Sequence, residues 1–118
     1  MDQAQIIDHA AHERLLEWGG NELLNAMVGL FLEHVGERIE RISSGLDTAK
    51  ANEVEYGAHS LKSSAANVGA ERVRSLAQEI EDLASKGDLD GVRGLHERLR
   101  TAVADADARL REMEGITR

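Results

Sequence analysis

The 118-residue chain has no proline, no cysteine and three aromatic side chains in all: Trp18, Phe31 and Tyr56. Without cysteine there is no disulfide scaffold, no thiol nucleophile and no zinc ribbon. Basic residues are also scarce. Fourteen Lys and Arg stand against 22 Asp and Glu, for a net charge of −8 and a pI near 5.1. That balance, with so few aromatics to stack on bases, argues against a nucleic-acid partner. No apolar run approaches the ~20 residues that span a bilayer, so no membrane partner is expected. The N-terminal stretch has neither a basic n-region nor an apolar h-region, and a cytoplasmic location is expected. The length is that of one domain, here taken as residues 1–118. Its Ala/Leu/Glu/Arg-rich composition favours helix throughout.

Hydrophobic periodicity agrees. Leu23, Met27, Phe31, Val35, Ile39, Ile42 and Leu46 recur at alternating three- and four-residue steps, which places them on one helix face. Val54, Ala58, Leu61, Ala65 and Val68 form a shorter stripe, and Val73, Leu76, Ile80 and Leu83 another. Val92, Leu95, Leu99, Val103, Ala106 and Leu110 form the last. No stretch alternates with period two for long enough to make a convincing strand. Between the stripes lie stop and start signals. Gly19-Gly20-Asn21 divides a short first helix, roughly Asp8 to Trp18, from a long second one. Asn52 is expected to cap the third helix, Gly69 to end it in the left-handed region, and Asp88 to cap the fifth. Loops this short force antiparallel neighbours. The expected fold is all-α: an antiparallel four-helix bundle of helices two to five, with the short N-terminal helix packed across one end.

Histidine is the side chain that titrates near neutrality, so the five histidines are the first candidates for chemistry. His9 and His12 stand three apart beside Glu13, which is half a metal site. A competent site needs three or four ligands, and the sequence fixes no second cluster, so no metal is expected. A bundle binding metal through His9 and His12 remains a distant alternative. His9, His12, His34 and His96 read as surface or half-buried residues. His59 differs in its setting. At ~100° per residue it falls ~160° from the centre of the apolar arc on its helix and points almost directly outward. Lys62, Ser63 and Ala66 share that outer face. From His59 to Ala70 there is no Asp or Glu.

The string Ala58-His59-Ser60-Leu61-Lys62-Ser63-Ser64-Ala65-Ala66-Asn67-Val68-Gly69-Ala70 closely resembles the signature of histidine-containing phosphotransfer (HPt) domains, approximately A-H-x-L-K-G-x-[AS]-x-x-[LIV]-G-A. Gly19-Gly20 and Phe31 upstream, and Ile80-Glu81 downstream, resemble that family's pattern too. The resemblance covers most of residues 8–100. It implies a phosphorelay intermediate rather than an autonomous kinase. His59 would accept a phosphoryl group from a receiver-domain aspartyl phosphate and pass it to a response regulator.

The resemblance implies further roles, each with a physical reason. Lys62, one turn along, would screen the phosphoryl charge. Ser63, Ala66 and Ser60 would form a low surface giving a partner access to the imidazole. Ser63 departs from the family, which usually has glycine there. Glu81 falls where that family's residue facing the histidine lies, and would hold the imidazole by its Nδ1–H. Gly69 would break the helix after the motif. The partners implied are receiver domains of hybrid sensor kinases and response regulators, with Mg²⁺ supplied by the receiver and no cofactor in this chain. The chain is expected to be a freestanding monomer. The competing reading is a non-catalytic helical adaptor that binds receiver or kinase domains without phosphotransfer.

Overall fold

A computed structural model describes residues 5–117, with side chains as far as Met113. Among the described residues there are four helices and no strand: α1 (His9–Asp47), α2 (Ala51–Val68), α3 (Glu71–Ser85) and α4 (Leu89–Thr117). Each packs on its neighbour in sequence, and α1 closes the bundle against α4. The fold is therefore all-helical, as the periodicity requires. It has four helices rather than five.

The difference lies at Gly20. This residue leaves helical space (φ 66°, ψ −162°), but helical geometry resumes at once, so the glycine pair kinks α1 without ending it. Only glycine enters that part of conformational space at low cost. Two smaller corrections concern caps and burial. The cap position of α2 is Lys50, whose side chain makes no capping bond, and Asn52 sits inside the first turn. His12, expected at the surface, is 4% exposed. Asp88 behaves as expected: its Oδ1 accepts from the Gly91 amide at 2.9 Å, at the start of α4.

The core is one contiguous cluster drawn from all four helices. Ile42, Leu61, Leu76, Ile80, Leu99 and Leu110 are its largest fully buried side chains. Each supplies roughly 1.5–3 kcal/mol of apolar burial. Leu61 is wholly buried, and this fixes the roll of α2 so that its opposite face meets solvent. The segment before the kink docks separately, over the turn between α2 and α3. Ala11, His12 and Leu15 face inward there. The Asp8 amide donates to the Gly69 carbonyl (2.7 Å), and His12 Nε2 donates to the Val68 carbonyl (2.6 Å).

Candidate functional site

His59 stands on the exposed face of α2 with 58% of its side chain open to solvent, while Ala58 and Leu61 beside it are fully buried. The apolar stripe thus decides which way the imidazole points. On α3 the same logic applies to Glu81. Its neighbour Ile80 is wholly buried, so Glu81 emerges at the edge of the α2–α3 seam with 18% of its side chain exposed.

The two meet across that seam. His59 Nδ1 lies 2.8 Å from Glu81 Oε2. An ionised carboxylate can only accept, so Nδ1 carries the hydrogen and Nε2 presents its lone pair to solvent. The other oxygen of the same carboxylate, Oε1, lies 2.7 Å from Lys62 Nζ. Burial pushes the Glu81 carboxyl up, but Lys62 and His59 together outweigh it and hold the group below its ordinary range. The arrangement is a carboxylate shared between an imidazole and an ammonium, with a free ring nitrogen facing outward.

Around this triad the surface is low. Ser63 and Ala66 are exposed, and Ser60 is half-buried. Ser64 turns back into its own helix, its hydroxyl reaching the carbonyls of Ser60 (3.1 Å) and Leu61 (3.2 Å). Gly69 ends α2 in the left-handed region (φ 72°, ψ 21°), and the Ala70 amide returns to the Ala65 carbonyl at 2.9 Å.

Periodicity along α2 does not reveal what α1 and the first turns of α2 add. Tyr56, three residues before His59, is exposed and lies beneath the Arg41 guanidinium, 4.2 Å from ring centroid to Cζ. Arg41 also donates from Nε to Glu53 at 2.9 Å. Arg38, one turn away on α1, lines a groove between α1 and α2. A three-residue spacing of arginines on the α2-facing side of α1 was the available signal for both.

The other histidines do different things. His9 and His12 pack edge to face with centroids 5.9 Å apart. Among the described residues no group of three or more His, Asp or Glu is arranged to hold a metal. His96 pairs with Ser43 and His34 with Glu37. Among the described residues no helix is long and apolar enough to cross a membrane.

The profile of the Hpt domain family matches residues 26–109. Among solved structures, the fold is similar to histidine-containing phosphotransfer protein B from Pseudomonas aeruginosa PAO1. The TM-score is 0.89 at 22% identity, over 96% of this chain and 97% of that one. It is also similar to the histidine-containing phosphotransfer domain of ArcB from Escherichia coli, with a TM-score of 0.68 at 19% identity, over 92% and 95%. At these identities the likeness is one of fold. No curated protein matches the sequence.

Proposed function

The chain belongs to the Hpt domain family, and from that premise we propose that it is a phosphorelay intermediate in which His59 is reversibly phosphorylated. The observation that carries this reading is the 2.8 Å contact between His59 Nδ1 and Glu81, with the small side chains Ser63 and Ala66 exposed in the turns that follow. In the forward step the Nε2 lone pair attacks phosphorus of a receiver's aspartyl phosphate. The N–P bond forms, the P–O bond to the aspartate breaks, and the carboxylate leaves with the electron pair. The ring becomes cationic as Nε2 is consumed. Its Nδ1–H stays on Glu81, whose negative charge lies where positive charge develops. The reverse sequence delivers the phosphoryl group to a response regulator.

Ser63, Ala66 and Ser60 serve access. In-line attack needs nitrogen within ~3–3.5 Å of phosphorus, and bulky neighbours would hold the two surfaces apart. Lys62, which shares the Glu81 carboxylate with His59, would meet phosphoryl oxygens at the expense of its contact with Glu81. Mg²⁺ held by the receiver's own acids would supply the remaining charge neutralisation on the transferring group.

The test is incubation with receiver domains charged by acetyl phosphate and Mg²⁺. We expect an acid-labile, base-stable phosphate on the wild-type chain that vanishes in His59→Gln. Wild-type protein that binds charged receivers without becoming labelled would replace this reading with that of a non-catalytic adaptor.

A further inference from the structure

Among the described residues, Arg38 is the arginine with a buried side-chain nitrogen that has no hydrogen-bond partner. Arg41, Arg74, Arg93 and Arg111 each pair with a carboxylate of the same chain. Arg38 makes no ion pair among the described residues, and its Nε is buried without a hydrogen-bond partner. The unpaired Nε costs free energy where it lies, and the rest of this half-buried guanidinium has no carboxylate of the described residues to offset that cost. The abundance of acids makes the omission informative: the chain is rich in carboxylates, and none among the described residues pairs with it.

The groove that holds Arg38 lies between α1 and α2 and measures about 200 Å³. Met27, Leu30, His34, Ser64 and Asn67 line it with Arg38, and no acid does. A second groove adjoins it through the shared residues Met27 and Asn67. Trp18, 72% exposed, and Arg14 line this one, again without an acid. The groove that His59 itself lines on the other side of α2, by contrast, includes Glu55 and Glu81, and one between α3 and α4 includes Glu97 and Asp105. Ser64 and Asn67 are five and eight residues beyond His59 on the same helix. At 1.5 Å per residue, those two positions lie about 7–12 Å further along the axis of α2 than His59.

Tryptophan and arginine are among the residue types that dominate binding energy at protein interfaces, and the exposed Leu30 (52%) adds apolar surface beside them. Resting on the phosphorelay reading above, we infer that Arg38 is a specificity determinant for the receiver. An acidic side chain of the docked receiver enters the groove between α1 and α2 and pairs with the guanidinium, while Trp18 and Leu30 supply apolar contact. The pair forms only in the complex, so it selects receivers that carry a carboxylate at the matching place.

The experiment measures KM and kcat for phosphoryl transfer from acetyl-phosphate-charged receivers to wild type, Arg38→Gln and Arg38→Lys, at low and high salt. Labelling of His59 by phosphoramidate, a small donor that needs no docking, reports whether each variant has an intact site. Arg38→Gln should raise KM about tenfold with kcat little changed, and should flatten the rise of KM with salt. Arg38→Lys should recover part of the loss, because it restores charge without the planar fork. An unchanged KM in Arg38→Gln, with His59 still labelled by receivers, overturns this inference and leaves the phosphorelay reading standing. A fall in phosphoramidate labelling that matches the loss of receiver transfer overturns it too, because Arg38 would then act on the imidazole. If phosphoramidate labels His59 and no charged receiver does, both readings fall together.

Discussion

Lys62 Nζ lies 2.7 Å from Glu81 Oε1, so the cation that the sequence suggested for a phosphoryl group is engaged with a carboxylate. The same carboxylate receives the His59 ring on its other oxygen. Phosphorylation would therefore place Lys62 between two anionic claimants. Glu81 is the hinge of this exchange, since whatever Lys62 gives to phosphate it withdraws from Glu81.

Replacing Glu81 should expose its orienting role. Glu81→Gln keeps an acceptor oxygen for Nδ1–H but removes the charge, and Glu81→Ala removes both. Labelling of His59 by phosphoramidate should slow in the order wild type, Gln, Ala, with Ala about ten- to a hundredfold down. Helicity by circular dichroism should stay constant. Equal rates in all three would show that the imidazole needs no support from α3.

Removing Lys62 should move the Glu81 titration. Burial pushes this carboxyl up, and Lys62 is the first of the two side chains that pull it down. In Lys62→Met the Glu81 pKa should rise, as read by carbon-detected NMR of the carboxyl across an acid titration. Receiver-dependent labelling should slow about tenfold, the scale of one charge-assisted hydrogen bond. An unmoved Glu81 titration would mean that the 2.7 Å contact has no electrostatic consequence.

His12 should make the fold sensitive to mild acid. Burial is the main cause that lowers its pKa from 6.5, against the raising effect of its bond to Val68. The folded state therefore prefers neutral imidazole, while the unfolded chain takes up the proton more readily. Its contribution is fully present above the unfolded value of 6.5 and declines as pH falls below it, towards the lower folded value. Urea midpoints for wild type should drop between pH 7.5 and 5.5 by more than those of His12→Gln, which keeps a donor but cannot titrate. Parallel pH profiles would remove His12 from the account.

Gly69 should tolerate substitution poorly. Its φ of 72° disfavours any Cβ by ~1–2 kcal/mol, and here the added carbon would also press on the Asp8 carbonyl. Gly69→Ala should therefore cost at least that much in urea unfolding, and should loosen the segment before the Gly20 kink. A stability within experimental error of wild type would show that the turn can relax.

The sequence made some of this legible and not the rest, for physical reasons. His59 could be placed outward because five apolar residues on one helix define its inner face, and that is local information. The left-handed end at Gly69 and the cap at Asp88 were legible because their chemistry is confined to a turn. Glu81 was reachable only through the family resemblance, since no periodicity says which acid of Glu79, Glu81 and Asp82 faces α2. His12 was misplaced because its burial depends on a carbonyl 56 residues away. Arg38 was invisible because a missing partner is a property of three-dimensional neighbours. The glycine pair was legible as the place where helical geometry is lost, but it did not reveal that the stretches on either side join directly across a kink with no loop between them.

The two bonds that tie the segment before Gly20 to the end of α2 also set an order of assembly. Their acceptors, the carbonyls of Val68 and Gly69, take up their positions only when the last turn of α2 has formed. The contact spans 56 residues, so its closure entropy is recovered only once the intervening helices have shortened the path. The segment before Gly20 therefore gains its two bonds only once the end of α2 is in place, and its docking is expected to follow formation of that helix.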